Sequence, residues 1–360
     1  MLVRSLLLLL LVLPGGLRGE DAPLPVQPGQ FPPAGSAHLL AGEMIRMDHV
    51  NRTGQLRPDR RGDQRTDDYD RAVRFTMLPY GTIRYHGAPA ELRDIPIGTH
   101  LHGQFHWDPK AGRDGKGAFS QAFLLEDDFS FHQRRNRVWR VDALQPDKGT
   151  LTVTGLPLDG NQPDPGPTVF QVNAATRVWK DRGFGSLSDL TEGRLVLLNI
   201  TAATLKGPGR VTELWLDEAS RQLATAHQTE RHRAYQKMHG LAGWVDAVDH
   251  EKSLVTVTLF GGFEASLAHD FKIQGRAALL VAEDSLRCYD QINDRMYGEV
   301  VEIRTVPAAP GSSGQQLVLK PMNLLEGFRP RRILRLLPES WPLDDLPWEE
   351  MLWPQDNRAN

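Results

Sequence analysis

Apolar and polar residues alternate one by one in several short stretches of this chain. Residues 151–154 read Leu-Thr-Val-Thr, and residues 255–258 read Val-Thr-Val-Thr. Alternation with a period of two is typical of a strand that buries one of its faces, and β-branched residues favour such a pleated, half-buried surface. Turn-forming residues separate these stretches, for example Pro-Asp-Lys-Gly at 146–149. The pattern predicts meanders of short strands.

The alternating stretches belong to an internal repeat. Residues 141–154 align without a gap with residues 245–258 and share seven identical residues. A second set recurs earlier in the chain, where Phe75, Leu92, Asp94 and Gly98 return as Phe170, Leu187, Asp189 and Gly193. This predicts three copies of one unit along the chain. About five strands in each copy would suit a small closed barrel, which removes its own sheet edges.

One stretch has the periodicity of a helix. Between residues 217 and 240 the apolar residues recur at steps of three or four. Asp217 suits the positive N-terminal end of a helix, and Gly240 can close the other end. We expect this helix to connect the second and third copies.

The order of these motifs resembles an uncharacterised family of exported bacterial domains with an OB-like barrel. The second copy carries the pattern best, in Val141-Asp142, in Leu-Ser-Asp-Leu-Thr-Glu-Gly at 187–193 and in the apolar strand that follows. The first copy inserts a charged stretch at 57–71, and the third lacks the Leu-x-Asp-Leu element, leaving only Asp294 and Gly298 near the expected turn. The resemblance implies an all-β fold of three tandem OB-like small β-barrels joined by short helical connectors. It implies no activity.

The repeat and the resemblance together divide the chain. The β-barrel repeats are expected at 42–125, 138–216 and 241–321, with connectors at 126–137 and 217–240. The chain is expected to begin with a signal peptide at 1–22 and a Pro/Gly-rich linker at 23–41. It is expected to end, at 322–360, with a C-terminal helix and a Trp-rich acidic tail.

Composition and charge fit an ordinary folded chain. With 360 residues, of which 40% are hydrophobic and 24% charged, the protein has apolar material for two or three cores. A formal net charge of −3 gives no basic footprint for nucleic acid, which is therefore not a favoured partner.

The first residues indicate export. Arg4 precedes the apolar run 6–13, which is followed by Pro14-Gly15-Gly16. This order is typical of a secretory signal peptide, and the run is too short to span a bilayer as a mature helix; an uncleaved start that anchors the chain to the membrane is the alternative. We expect the protein in the periplasm or outside the cell, without a transmembrane segment in the mature chain. Cys288, the single cysteine, excludes an intramolecular disulfide and is interpreted as a small packed hydrophobe.

Three histidines near the end of the first copy form the most suggestive chemical cluster. His100, His102 and His106 would share one face of a strand, and neutral imidazoles are ligands for zinc, copper or nickel. The repeat, however, places His100 and His102 where the second copy has Leu195 and Leu197, which are barrel-wall positions. No carboxylate partner can be assigned, so structural histidines are the favoured interpretation and a zinc or copper site is the alternative. The histidines that would complete such a site are His49, His86 and His132.

The remaining motifs favour no reaction. Asp67-Asp68 and Glu126-Asp127-Asp128 would suit acid and base catalysis in a glycosidase, but carboxylates adjacent in sequence need not converge in space. Neither a Gly-x-Ser-x-Gly nor a His-Glu-x-x-His motif occurs. We assign no catalytic residue and no cofactor-binding residue. The tail tryptophans either cap the last barrel, which we favour, or dock a partner; they are Trp341, Trp348 and Trp353.

These observations favour an exported, non-catalytic binding or scaffold protein of the cell envelope, with a cell-envelope protein or a polysaccharide as its partner. The first alternative is a metal-binding protein or metal-dependent enzyme that uses the three histidines at 100, 102 and 106. The second alternative is single-stranded nucleic acid binding through the OB-like barrels.

Overall fold

The computed structural model describes residues 23–60, 71–112, 117–158, 164, 166–204, 207–282 and 295–343. Strands dominate these residues and enclose three separate apolar cores. The prediction of an all-β protein built on small barrels is confirmed. Six sequence predictions lie outside the described residues: the signal peptide at 1–22, Asp67-Asp68, Cys288, Asp294, and the tail residues Trp348 and Trp353.

The first sheet closes into a small barrel. Its strands are β1 (His38–Asp48), β2 (Thr53–Pro58), β3 (Val73–Tyr85), β4 (Ala88–Ala90), β5 (His100–Asp108) and β6 (Ala118–Asp127). Pairing runs from β1 through β2, β3, β6 and β5 back to β1, with β3 and β6 parallel. Leu56, Leu101 and Phe105 are completely buried inside this ring. The order is that of an OB-like barrel.

The second sheet surrounds its own core. Where a closed barrel would have one continuous third strand, this sheet has two separate strands, β9 and β10. The strands are β7 (Arg137–Gln145), β8 (Thr150–Pro157), β9 (Thr168–Gln171), β10 (Arg177–Lys180), β11 (Gly183–Phe184), β12 (Leu195–Ile200) and β13 (Val211–Trp215). Their order is β11–β10–β13–β12–β7–β8–β9, with β10 and β13 parallel. Across the break, Gln171 N–H donates to the Gly209 carbonyl at 3.1 Å and the Thr176 hydroxyl donates to the Val211 carbonyl at 2.8 Å. These single contacts stand where a continuous ladder would close the barrel, so the second sheet is open and the prediction of three closed barrels is not confirmed. We call it the second barrel below for its place in the chain.

Two helices lie in the predicted connectors. α1 (Asp128–Arg134) follows the first barrel, and α2 (Glu218–His239) follows the second. Each begins after an aspartate, Asp127 or Asp217, whose side chain accepts a backbone N–H bond from the first turn. Such a cap satisfies a donor that the helix itself leaves unpaired. α2 ends at Gly240, whose φ is 76°.

The third sheet is a closed barrel with a different order. It contains β14 (Leu241–Asp249), β15 (Leu254–Phe260), the short helix α3 (Ala265–Ala268), β16 (Arg276–Ala282), β17 (Arg295–Thr305), β18 (Ser312–Pro321) and β19 (Ile333–Pro338). The ring runs β14–β15–β18–β17–β16–β19, and each neighbouring pair is antiparallel. Gly298, which the sequence placed near a turn, lies within β17.

Closure of the third barrel corrects the prediction for the C-terminal region. A helix was expected within 322–360, but Ile333–Pro338 is a strand that is buried along its whole length. A short apolar segment is compatible with either element, and here the ring needs a sixth strand, in which Arg335 is the one charged residue. Trp341 follows directly, is 5% exposed, and donates its indole N–H to Asp270 Oδ2 at 2.7 Å. The capping role that was favoured for the tail is confirmed for this tryptophan.

Hairpins β7–β8 and β14–β15 share one local geometry. In each, the register shifts directly after a buried valine, Val141 in the first and Val245 in the second. The residue at the bulge is an aspartate in both cases. Asp142 and Asp246 each accept a 2.6 Å hydrogen bond from a threonine of the partner strand. A bulge increases the local twist, which helps a strand to follow a small barrel.

The barrels pack on one another through apolar and polar contacts. Leu78 and Tyr80 of the first barrel form one apolar cluster with Trp244 and Phe260 of the third. Phe31 joins this cluster, so part of the predicted 23–41 linker is packed structure, and β1 itself begins inside that range. No helix among the described residues is long and apolar enough to cross a membrane.

Candidate functional site

Strand β5 directs its histidines away from the core of the first barrel. Leu101 and Phe105 are buried in that core and alternate with His100, His102 and His106. Six residues at about 3.3 Å each place His106 about 20 Å from His100, which is too far for one ion to bind both. His106 instead lies against Phe123, with ring centres 5.7 Å apart. The predicted set of three histidine ligands is therefore wrong for His106.

His100 and His102 meet at a carboxylate that the sequence did not assign to them. Asp128 is the first residue of α1, and its Oδ1 accepts hydrogen bonds from His100 Nδ1 at 2.7 Å and from His102 Nε2 at 2.9 Å. His102 is fixed on its other side by Phe131, whose ring centre lies 3.7 Å away. The three side chains belong to one compact group in which one donor atom of each lies within 4.8 Å of the others.

A second carboxylate holds the far side of His100. Asp59 follows β2, and its Oδ2 accepts a hydrogen bond from His100 Nε2 at 3.0 Å. The second barrel supplies backbone donors to both carboxylates, because Ala203 N–H donates to Asp59 at 2.8 Å and Ile200 N–H donates to Asp128 at 3.0 Å. The cluster therefore lies at the junction of the first two barrels.

Charge sets the protonation of this cluster. Burial alone would lower the pKa of His100, but the charges and hydrogen bonds of Asp128 and Asp59 outweigh it and raise the pKa to about 10. Burial alone would raise the pKa of Asp128, but His100 and His102 hold it well below its usual range. In the absence of other ligands, His100 is an imidazolium between two carboxylates. Removing one partner of such a buried ion pair lowers the free energy of unfolding by more than the intact pair contributes to it, because the remaining charge is buried without a partner.

The other histidines named as candidate ligands are placed differently. His132 has its ring centre 6.5 Å from that of His102, and burial lowers its pKa to about 4, so its imidazole is neutral. His86 is part of another group at the same junction, where its Nε2 lies 3.4 Å from Glu213 Oε2. His49 is exposed in the turn after β1. Neither His86 nor His49 belongs to the compact group of His100, His102 and Asp128.

The three adjacent acidic residues at the end of β6 and the start of α1 bind different partners. Glu126 accepts two hydrogen bonds from Arg134, at 2.6 and 2.7 Å. Asp127 caps α1 and accepts a hydrogen bond from Asn199 Nδ2 at 3.1 Å. Only Asp128 reaches the histidines. The three carboxylates therefore do not form the acid and base pair of a glycosidase.

A separate cavity is formed by residues of the first barrel. It has a volume of about 1060 Å³ and is lined by the end of β1, by β2, by the start of β3 and by the connection between β5 and β6. Strand pairing brings Arg46, Gln55 and Arg74 into one row across β1, β2 and β3. Asp48, Thr53 and Thr76 form the next row with the same orientation. We call this cavity the β2–β3 groove.

The β2–β3 groove is polar, and exposed arginines lie on both sides of its central strand, β2. Arg46 and Arg74 are exposed on β1 and β3, and Asp48 and Asp108 contribute acidic groups. Phe75 also lines the cavity but is 3% exposed and belongs to the core. The arrangement suits a polar ligand that lies across β1, β2 and β3 and has groups for guanidinium to bind.

Two parts of these sites were not found from sequence. Asp59 and Asp128 reach the histidines only through the fold, and the row of Arg46, Gln55 and Arg74 depends on strand register. The one usable signal was the position of Asp128 at the start of a short helical connector. Comparison of the chain with models of protein families, with curated proteins and with solved structures gives no match.

Proposed function

We propose that this protein is an exported, non-catalytic binding protein of the cell envelope. Its first barrel holds an extended acidic polysaccharide in the β2–β3 groove, and the other barrels act as a scaffold. The observation that carries the proposal is the groove itself, with exposed arginines on both sides of its central strand. The hairpin geometry that the second and third barrels share supports their origin as tandem copies.

The location of the groove supports an extended ligand. OB-like barrels bind oligosaccharides and oligonucleotides on the face formed by their second and third strands and the adjoining loops. The size of the groove also favours an extended ligand, because a volume of about 1060 Å³ exceeds what most small ligands fill. An extended polymer would make use of the whole length between the β1 end and the β5–β6 connection.

The chemistry of the groove favours an acidic sugar polymer over nucleic acid. Arg46 and Arg74 can each form paired hydrogen bonds with a carboxylate or sulfate. Proteins that hold single-stranded nucleic acid without sequence preference use exposed aromatic rings on which bases stack. Among the described lining residues the one aromatic ring is Phe75, which is buried in the core.

Calorimetric titration with alginate oligosaccharides tests the proposal. Arg46→Gln combined with Arg74→Gln should weaken binding at least tenfold, and wild-type binding should weaken as salt is raised. The control is Arg182→Gln combined with Arg304→Gln, which makes the same change of charge at exposed positions on other barrels. Equal affinity of the two double variants would contradict the proposal. Tighter binding of a single-stranded oligothymidine that depends on the groove arginines would favour the nucleic-acid alternative.

Export is the second part of the proposal, and it rests on the apolar run at 6–13 behind Arg4. Fractionation of host cells with mass spectrometry of the N-terminus should find the protein outside the cytoplasm, without about the first 16 to 22 residues. Full-length protein confined to the cytosol would contradict this part alone and leave the groove to be tested separately.

A further inference from the structure

We propose that His100, His102 and Asp128 bind one divalent transition-metal ion of the zinc class at the junction of the first and second barrels. The site is separate from the β2–β3 groove, and the inference does not depend on the polysaccharide proposal. Two imidazole nitrogens and one carboxylate oxygen form a ligand set that zinc accepts in proteins. The same set would also hold copper or nickel, since selectivity among these ions comes from geometry and availability.

The distances fit an ion after a small adjustment. His100 Nδ1 and His102 Nε2 lie 2.7 and 2.9 Å from the same oxygen of Asp128. Ligand atoms on a tetrahedral zinc ion, with bonds of about 2.0 to 2.2 Å, lie about 3.3 to 3.6 Å from one another. The rings would therefore withdraw from Asp128 by about 0.4 to 0.9 Å. Three protein ligands leave a fourth tetrahedral position for water or for another side chain.

The surroundings supply what a metal site needs beyond its ligands. A histidine that binds a metal commonly donates its other ring N–H to a carboxylate, which fixes the orientation of the ring. Asp59 accepts such a bond from His100 Nε2 at 3.0 Å and is held in turn by Ala203 N–H. The second oxygen of Asp128 is held by Ile200 N–H at 3.0 Å. Asp59 is therefore a positioning residue rather than a ligand.

An ion at this position would affect the contact between the first and second barrels. All three ligands belong to the first barrel and α1, whereas the backbone donors that hold the two carboxylates belong to the second barrel. An ion would fix the carboxylates against these donors and so strengthen the contact between the two barrels. The competing account is a hydrogen-bonded charge cluster that functions without a metal, and the experiment must separate the two.

Metal uptake by the full-length mature protein separates them. Protein stripped with a chelator and dialysed should take up about one zinc ion per chain, measured by plasma mass spectrometry, and calorimetric titration with zinc chloride should give one saturable site. His102→Gln should weaken zinc binding at least tenfold, because it removes a ligand. Asp59→Asn should weaken it about 10- to 100-fold through the orientation of His100. Zinc should raise the unfolding temperature of the wild type more than that of either variant.

The chain offers a matched control. His106→Gln changes the same residue type on the same strand, and His106 is not a member of the group formed by His100, His102 and Asp128 within the described residues, so this variant should bind zinc as the wild type does. Circular dichroism shows whether each variant is folded, and His102 is the preferred ligand to change because its side chain is partly exposed. No zinc above background in the folded wild type would overturn the inference. Undiminished binding by folded His102→Gln would overturn it equally.

Discussion

His100 and His106 are equally buried on one strand, and their partners decide their charge. Each is 2% exposed. His100 donates to two carboxylates, which offset the free-energy cost of burying an imidazolium. His106 has no hydrogen-bond partner for either ring nitrogen within the described residues. Burial, with a smaller effect of nearby His38, lowers the pKa of His106, so its ring is neutral in the folded protein.

His106 should therefore make the protein less stable in acid. Above its unfolded pKa of 6.5 the ring is neutral in both states and has no effect on pH dependence. As the pH falls below 6.5, the unfolded chain binds a proton that the folded protein does not bind until its lower pKa is reached. The free energy of unfolding then declines.

His106→Leu removes this decline together with two unpaired buried nitrogens. The variant should be at least as stable as the wild type at pH 7.5, and its advantage should grow towards pH 5. Urea unfolding at both pH values measures the difference. An equal loss of stability at the two pH values would show that the ring contributes mainly by packing.

At the level of secondary structure, α2 buries a polar face. The buried residues of the helix are Ser220, Gln228, His232 and His239. Gln228 Nε2 donates to the Pro89 carbonyl at 3.1 Å and to Asp94 Oδ2 at 3.0 Å, and so ties the helix to the first barrel. His232 Nε2 donates to the Gly262 carbonyl at 3.0 Å, and so ties it to the third. α2 is a hydrogen-bonded brace between two barrels.

Gln228→Ala tests the brace. The change removes a donor from the part-buried Pro89 carbonyl and from the buried carboxylate of Asp94, so we expect the free energy of unfolding to fall by about 1 to 3 kcal/mol. His227→Ala is the control, because His227 is the preceding residue and is exposed. It should change stability by less than about 0.5 kcal/mol. Equal changes in the free energy of unfolding of the two variants, measured by denaturant titration, would mean that the hydrogen bonds of Gln228 contribute nothing to stability.

The elements also show what local sequence can and cannot predict. α2 and its ends follow from helical spacing, Asp217 and Gly240, but the spacing of apolar residues does not indicate its buried face, because the residues buried there are polar. The alternation of β5 was predictable, but Asp59 and Asp128 reach His100 only through tertiary structure. β19 was missed because a fully buried strand lacks alternation.

At the scale of the whole molecule, neighbouring barrels are coupled through contacts of different kinds. The first and third share an aromatic cluster in which the Phe260 ring lies 6.0 Å from Tyr80 and 5.2 Å from Trp244. The first and second share the carboxylate cluster around His100. We infer that the barrels unfold as one cooperative unit.

Phe260→Ala tests this coupling by calorimetry. The wild type should unfold in a single transition, and the variant should lose about 3 to 5 kcal/mol because a ring that is 4% exposed is removed. The whole transition should move to lower temperature. The control Phe184→Ala removes the same atoms from a residue that is 75% exposed, and it should cost no more than about 1 kcal/mol. Two resolved transitions in the wild type would contradict cooperative unfolding.

The central claim, that the first barrel is the ligand-binding part of the molecule, is tested most directly by hydrogen–deuterium exchange of the full-length mature protein with and without alginate oligosaccharides. We predict that added oligosaccharide slows exchange in peptides covering β2, the start of β3 and the β5–β6 connection, which line the groove. Peptides from the second and third barrels should exchange at unchanged rates. Protection confined to those two barrels, or no protection at saturating oligosaccharide, would contradict the claim.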